Sequence, residues 1–324
     1  MTKANSHTGN INLPEQVEEL IREQTANWEL AKQNYAGLEK VDSKAFQFPD
    51  FQIKVQFNPE RIRSSAAKVD AKTISERPCF LCESNRPERQ TSIDFEERYS
   101  IRINPYPIFN KHLTISLNQH VPQRIESYFP DMLDLSRHLP DFTLFYNGPK
   151  CGASAPDHFH FQAVEKNHLP VESEIFNLPG NFLNSLVEED EITIQSIDRN
   201  YLRKVIVFTS GSKQKLESYF QKTLSILKER GQEGEPMMNV LANYNNRQWK
   251  VFLFPRDLQR PSHYFEKGEK QVVMSPASVE MGGLVILPRK EDFEKVSKEI
   301  LADIYQQVTI NDKDFETAVE KLKR

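Results

Sequence analysis

The residues with the greatest chemical potential in this 324-residue chain lie in one short segment, 152–162. Its sequence is Gly-Ala-Ser-Ala-Pro-Asp-His-Phe-His-Phe-Gln. Side chains alternate between the faces of a β-strand, so a strand over 158–162 presents His158, His160 and Gln162 on one face. The two phenylalanines between them point to the other face, into a core. An imidazole held on a strand in this way is a candidate nucleophile.

A loop of small residues lies directly before this strand. Gly152 allows the backbone to approach an anion closely, and Ser154 adds a hydroxyl group. An apolar run over 142–146 leads into the loop. The loop and the histidine together indicate phosphoryl or nucleotidyl transfer. The structural alternative is a half-exposed strand whose polar and aromatic residues simply alternate.

Cys79 and Cys82 have the spacing of a zinc knuckle. Two thiolates need two more ligands for a closed tetrahedral site. Same-face neighbours on a strand lie about 6.5–7 Å apart, so His158 and His160 cannot easily share one role, and one can bind metal while the other attacks substrate. A redox pair and two buried structural cysteines are the alternatives. The candidate histidine ligands in this part of the chain are His112, His120, His138, His158 and His168.

Composition limits the class of protein. The chain is 38% hydrophobic with a net charge of −4, which predicts a sizeable core in one large domain or two halves and disfavours a nucleic-acid partner. The absence of a long apolar run and of a secreted disulfide framework predicts a cytoplasmic protein without a membrane partner. Several dispersed basic residues could bind an acceptor phosphate, although solvated surface charge is their commoner role. They are Arg61, Arg63, Lys68, Arg256, Arg289 and Lys290.

Periodicity predicts an α+β fold, an antiparallel sheet with flanking helices, and in the first half of the chain these helices are expected on one side of the sheet. Residues 1–13 are expected to be a disordered lead, and a long helix is expected from Pro14, capped near Asn12. Residues 14–164 form the half that carries the chemistry. Residues 165–324 repeat strands and helices without His-x-His or Cys-x-x-Cys, which suggests a degenerate copy that shapes the pocket. Its predicted elements include a helix over 213–230, a hairpin over 238–254 and one long final helix.

The segment His158-Phe-His160-Phe-Gln162 resembles the His-x-His-x-Gln signature of the transferase branch of the histidine-triad-like (HIT-like) superfamily. That branch includes galactose-1-phosphate uridylyltransferase, diadenosine tetraphosphate phosphorylase and GDP-L-galactose phosphorylase. The resemblance extends over roughly 58–164, and a later run over 282–293 is similar to the C-terminal part of GDP-L-galactose phosphorylases. It implies that both halves of the chain are HIT-like.

The resemblance also implies roles for individual residues. His160 would be the nucleophile that carries a covalent nucleoside monophosphate (NMP). Gln162 and Ser154 would hold the transferred phosphate, with backbone N–H groups near Gly152. Asn147 would contact the nucleotide. Independently of the resemblance, Lys150 lies next to the loop and could contact phosphate or simply be solvated. The implied ligands of a structural zinc ion are Cys79, Cys82, His120 and His158.

A glutamine at position 162 stands where the hydrolases of the superfamily carry a third histidine, and an amide cannot shuttle a proton as imidazole can. We therefore expect transfer to a phosphate or sugar phosphate, foremost phosphorolysis of an NDP-sugar to an NDP and a sugar 1-phosphate. Phosphorolysis of a dinucleoside polyphosphate is second and hexose-1-phosphate uridylyl exchange third. A hydrolase or a non-catalytic nucleotide-binding protein are the rival classes. A homodimer is compatible with the resemblance.

Overall fold

The computed structural model describes residues 12–61, 71–179, 182–198 and 201–324. Within these residues the chain forms a ten-stranded sheet, a three-stranded sheet and flanking helices. The strands are β1 Asp42–Gln47, β2 Gln52–Phe57, β3 Ile93–Phe95, β4 Tyr99–Ile103, β5 His112–Leu117, β6 Phe142–Asn147, β7 His160–Glu165, β8 Asn184–Glu189, β9 Ile192–Ile197, β10 Val205–Ser210, β11 Met238–Asn245, β12 Gln248–Pro255 and β13 Leu284–Leu287. The α-helices are Leu13–Asn27, Glu29–Gly37, Ala71–Glu76, Phe129–His138, Val171–Asn177, Lys213–Lys228, Ser262–Phe265, Ser278–Met281, Lys290–Lys295, Lys298–Val308 and Asp312–Lys323.

The large sheet is antiparallel throughout, in the order β3-β4-β5-β7-β6-β11-β12-β10-β9-β8. Counted from each outer edge towards the centre, the two sets of five strands have the same order, β3-β4-β5-β7-β6 and β8-β9-β10-β12-β11. The two sets meet where β6 pairs with β11. Helix Phe129–His138 precedes β6, and helix Lys213–Lys228 precedes β11 in the corresponding place. The α+β prediction is confirmed, and two units of equal topology share one continuous sheet.

The two units differ at one connection. Strands β11 and β12 remain paired out to Asn245 and Gln248, so only Asn246 and Arg247 form the turn. Both of these residues have positive φ, 50° and 62°, as expected for the two central residues of a type I′ hairpin turn. The equivalent strands β6 and β7 are joined instead by the long loop 148–159. The tight turn leaves no comparable loop in the second unit.

Several element boundaries differ from the sequence-based expectation. The first helix begins at Leu13, and the Asn12 side chain accepts a hydrogen bond from the Glu15 N–H at 3.1 Å, so residues 12 and 13 belong to it rather than to a disordered lead. Residues 1–11, Arg63 and Lys68 lie outside the described residues. The predicted long helix breaks at Trp28, whose backbone is extended. The expected final helix is three helices, Lys290–Lys295, Lys298–Val308 and Asp312–Lys323.

The small sheet connects the two ends of the chain because β13 pairs in parallel with β2. Two hydrophobic clusters occupy the two faces of the large sheet, and each contains residues from both units; Phe159 and Phe161 are buried in the first cluster, as predicted. Among the described residues, no helix combines the length and the apolar character that a bilayer crossing needs.

Candidate active site

A cavity of about 550 Å³ lies over one face of strands β4, β5, β7 and β6. Cross-strand pairing places Arg102, Thr114, Gln162 and Phe145 in one row across this face, and all four line the cavity. His160 lies in the next row, opposite Ser116. Cavities of this size are typical of small-molecule sites. Strand pairing therefore collects residues from four separate sequence segments on one floor.

His160 is 3% exposed and begins β7, at the base of the cavity. Its Nδ1 lies 2.9 Å from the carbonyl oxygen of His158. A carbonyl can only accept, so Nδ1 carries the proton and the lone pair is on Nε2. Burial is the main cause that lowers the pKa of His160 to about 4, so the ring is neutral at physiological pH. A neutral imidazole with a free Nε2 is suited to attack an electrophile in the cavity.

Gln162 also lines the cavity, and its neighbours determine which way its amide points. Its Oε1 accepts hydrogen bonds from Asn104 Nδ2 at 3.2 Å and from His112 Nε2 at 2.9 Å. His112 Nδ1 accepts from the Ile108 N–H at 3.2 Å, which requires the proton to be on Nε2. Two donors on Oε1 leave the amide NH₂ of Gln162 to face the cavity. Gln162 is thereby presented as a donor to an anion.

His112 is a residue whose function the sequence did not reveal, because its contact with Gln162 joins two neighbouring strands, β5 and β7, that are far apart in sequence. It is fully buried, and burial, with the charge of Arg61, lowers its pKa to about 3. We expect His112→Phe, which keeps the ring volume and removes the donor, to lower kcat/KM by about 10–100-fold because Gln162 loses its fixed orientation. Steady-state kinetics measure this, with His168→Gln, an exposed histidine, as the control. Equal activity of the two variants would contradict it.

The loop 148–159 forms another part of the wall. Gly152 has φ +97°, and a Cβ there would overlap Ala277, so only glycine suits this position. Ser154 lines the cavity, and its carbonyl accepts from Arg77 at 3.1 Å. Asn147 also lines it, with its Oδ1 held by Asn239 Nδ2 at 3.0 Å and by the Ser278 N–H at 2.8 Å. Its amide NH₂ is therefore the group left for a ligand.

Lys150 lies elsewhere. It is exposed and is outside the set of described residues that line the cavity. Arg256, which sequence reasoning considered as a phosphate ligand, is fully buried in hydrogen bonds to Asn239 Oδ1 and to carbonyl groups such as that of Val308. Arg289 is paired with Asp292 and donates to Gln271 Oε1 at 2.9 Å. Tertiary contacts thus assign these two arginines to structural roles.

The arginines that do line the cavity come from separated elements. Arg102 on β4 is 1% exposed and bonds to Ser116 Oγ, and burial is the main cause that lowers its pKa to about 10, so it stays protonated. Among the lining residues that the structure describes, Glu280 is the one carboxylate, and burial raises its pKa. The cavity is therefore electropositive and suited to an anionic ligand. Besides Arg102, the arginines of the lining are Arg61, Arg77 and Arg260.

Four potential metal ligands meet beside the cavity. The ligand atoms of Cys79, Cys82, His120 and His158 all lie within 4.8 Å of one another. Individual separations are 3.3 Å for Cys79 Sγ to His158 Nδ1 and 3.2 Å for Cys82 Sγ to His120 Nδ1. Zinc–ligand bonds of about 2.0–2.3 Å in a tetrahedron imply ligand separations of roughly 3.3–3.8 Å. These two pairs lie close to that range, so the four residues that sequence reasoning selected form a possible site for one tetrahedrally coordinated ion.

The surroundings of the four residues also suit a metal site. His158 Nε2 lies 2.7 Å from the Leu117 carbonyl and must donate to it, which leaves Nδ1 as the ligand atom. His120 Nε2 lies 3.7 Å from Asp157 Oδ2, and Asp157 is paired with Arg77. His158 does not lie on β7 as predicted, because its N–H bonds to Ala155 in a turn and the strand begins at His160. The turn directs its ring to the cysteines.

Two family models match the chain. "Domain of unknown function (DUF4922)" matches residues 20–165, and "GDPGP1-like, C-terminal domain" matches residues 178–324. The galactose-1-phosphate uridylyltransferase of Clostridium acetobutylicum is 26% identical to the chain over 271 aligned residues, which cover 71% of this chain and 52% of that protein. The enzyme of the same name from Halalkalibacterium halodurans is 26% identical over 134 residues, 35% of this chain and 26% of that one. The chain thus spans about half the length of the first relative and about a quarter of the second.

Yeast Ap4A phosphorylase Apa2 in complex with AMP shares the fold, with a TM-score of 0.61 and 16% identity over 91% of this chain and 96% of that one. Its complex with Ap4A gives a TM-score of 0.56 and 15% identity over 87% and 96%. The two family models cover the two halves of the chain, and the shared fold extends over 91% of it. Both findings are consistent with the resemblance first indicated by the His-x-His-x-Gln segment. The C-terminal family model, the sequence relatives and the fold together support membership of the HIT-like superfamily.

Proposed function

We propose that this protein is a nucleotidyltransferase that works through a covalent NMP on His160 and acts as a phosphorylase of a nucleotide sugar. The observation that carries the proposal is the state of His160. Its Nδ1 proton is tied to the His158 carbonyl, the ring is neutral, and it lies at the floor of an electropositive cavity. These are the requirements of a nitrogen nucleophile for phosphorus.

In the first step His160 Nε2 attacks the α-phosphorus of the nucleotide sugar. An N–P bond forms, the bond from the α-phosphorus to the bridging oxygen breaks, and the sugar 1-phosphate leaves with that oxygen. The His158 carbonyl stabilises the positive charge that develops on the ring through the Nδ1 proton. In the second step an oxygen of inorganic phosphate attacks the same phosphorus, the N–P bond breaks and the NDP is released.

Donors around the reacting phosphate stabilise the charge of both transition states. The amide NH₂ of Gln162, oriented by His112 and Asn104, is one of them. The hydroxyl of Ser154 and the guanidinium of Arg102 line the same cavity and are others. Gln162 cannot take a proton from an attacking water as an imidazole could, which favours phosphate as the acceptor over water.

We further propose that Cys79, Cys82, His120 and His158 hold a zinc ion. Zinc at such a closed Cys₂His₂ site contributes folding energy and fixes its ligands. The backbone of His158 would then be immobilised, and its carbonyl is the acceptor for His160 Nδ1. The second half of the chain, residues 165–324, supplies Gln259, Arg260 and Glu280 to the cavity and in this proposal shapes the acceptor part of it.

A nucleotide sugar is the preferred substrate for two reasons. The sequence relatives are named for a uridylyl group and a sugar 1-phosphate. The lining also combines aromatic side chains suited to a base, Trp28 and Phe80, with polar side chains from the second unit. Phosphorolysis of a dinucleoside polyphosphate is the second candidate, favoured by the likeness in fold to the Ap4A phosphorylase over 91% of the chain.

Phosphate dependence is the test. We expect a panel of NDP-sugars and dinucleoside polyphosphates to be consumed only when inorganic phosphate is present, because water is a poor acceptor here. With a nucleotide sugar the products are the NDP and the sugar 1-phosphate, measured by anion-exchange chromatography. Omission of phosphate and substitution by sulfate are the controls. NMP release in plain buffer would identify a hydrolase, and tight binding without turnover over the panel would identify a nucleotide-binding protein.

A further inference from the structure

Strands β6 and β7 separate at the point where the site begins. Their pairing runs from Phe142 and Glu165 to Phe145 and Gln162 and then stops, although both strands continue. Continued pairing would place Asn147 opposite His160. The carboxamide of Gln123 contacts the backbone of both of these residues instead.

Three hydrogen bonds define the position of Gln123, which is 1% exposed. Its Nε2 donates to the Asn147 carbonyl at 3.1 Å and to the His160 carbonyl at 2.9 Å. Its Oε1 accepts from the His160 N–H at 2.8 Å. The side-chain amide therefore offers donors and an acceptor to the two strands in the way a peptide group of an intervening strand would. The backbone N–H of Gln123 donates to the Pro156 carbonyl at 3.0 Å, which also connects Gln123 to the loop 148–159.

We propose that Gln123 is a positioning residue, a side-chain substitute for a peptide group that keeps β6 and β7 apart and holds the backbone of His160 in its attacking position. The inference rests on the proposed function of His160. It goes beyond it because neither the nucleophile nor the phosphate loop requires that a side chain be inserted between their strands.

The second unit shows what the same strands do when no such residue separates them. There β11 and β12 remain paired to their last residues and close in a two-residue turn. Buried backbone groups must find partners, so strands without a carboxamide between them would pair further or leave groups unsatisfied. Further pairing would draw Asn147 towards His160 and narrow the entrance to the loop that carries Ser154.

The proposal predicts a specific kinetic signature for Gln123→Met, which keeps the side-chain length and removes all three hydrogen bonds. We expect kcat to fall about 10–100-fold with KM for the nucleotide sugar changed less than about threefold, because a misplaced nucleophile affects the chemical step. Hydrogen exchange measured by mass spectrometry should show faster exchange of the His160 amide. Gln221→Met is the matched control, because Gln221 also donates to a backbone carbonyl, that of Glu126, but on the exposed surface.

Gln123→Glu supplies a second measurement that a merely structural role would not move. The carboxylate form faces two carbonyl oxygens without a donor, whereas the protonated form regains one donor and keeps an acceptor. We expect kcat, relative to wild type at the same pH, to recover several-fold as the pH is lowered from 8 to 6. This variant also decides the case if the methionine variant does not fold.

Unchanged kcat together with unchanged exchange of the His160 amide in both variants would overturn the proposal. So would a rise in KM alone with kcat retained. These results are distinguishable from failure of the proposed function, in which wild type itself forms no covalent NMP on His160. In that event the exchange of the His160 amide still tests the positioning role.

Discussion

Replacement of His160 by asparagine should abolish covalent labelling by an α-³²P-labelled nucleotide sugar and lower turnover by at least about 10³-fold. Asparagine retains a polar side chain of similar size near the His158 carbonyl but has no imidazole nitrogen for the phosphorus. Because the nucleophile takes part in both half-reactions, its removal affects NMP transfer to the enzyme and from it. Denaturing gel electrophoresis of the labelled protein measures the first step separately from turnover.

The His160→Asn variant must fold and still bind its substrate for a loss of labelling to report on the nucleophile. His138→Asn is the matched control. His138 is an exposed histidine at the C-terminal end of helix Phe129–His138, and its ring bonds to the Asp134 carbonyl of the same helix. Thermal unfolding and binding of the nucleotide sugar by calorimetry should be similar in both variants and wild type. Equal labelling of His160→Asn and wild type would eliminate the covalent mechanism at this residue.

The second large effect concerns the metal site. We expect purified wild type to hold about one equivalent of zinc and Cys79→Ser to lose it, because serine is a poor substitute for a thiolate ligand. Loss of a structural metal ion belongs to the few changes that cost on the order of 4 kcal/mol, which for a chain of 324 residues corresponds to a fall in Tm of roughly 6 °C. Elemental analysis and differential scanning calorimetry measure the two effects.

Cys151→Ser provides the comparison. Cys151 is fully buried like a structural cysteine, but it lies outside the four-residue metal cluster. This variant should keep its zinc and lose far less stability. A wild-type protein that carries no zinc when purified without chelators, or Cys79→Ser with its zinc intact, would show that the cluster is not a zinc site.

The metal site and the nucleophile are coupled through the backbone. His158 offers its ring to the cluster and its carbonyl to His160 Nδ1. His120, the exposed member of the cluster, lies shortly before Gln123 in the sequence. The side chain of Gln123 in turn accepts a hydrogen bond from the His160 N–H. Metal loss in Cys79→Ser should therefore also lower kcat, and a restored zinc content should accompany any restored activity.

The amino-acid sequence alone determined which residue types could do the chemistry. Local order is enough to place His160 and Gln162 on the same face of a strand, because alternation is a property of the extended backbone. The spacing of Cys79 and Cys82 likewise indicates a metal knuckle from a few neighbouring residues. Helix starts such as the Asn12 cap follow from the same local rules.

Only the tertiary structure decided which other residues support the nucleophile and the metal ligands. Strand pairing, a helix break and loops bring four supporting residues to the site, so no local pattern connects these residues to His160. They are Gln123, His112, Arg102 and Trp28. The same long-range packing excludes Lys150 from the cavity lining and buries Arg256 in structural hydrogen bonds. Sequence periodicity specifies the direction of a side chain within its own element, whereas the neighbours it meets depend on how distant elements pack.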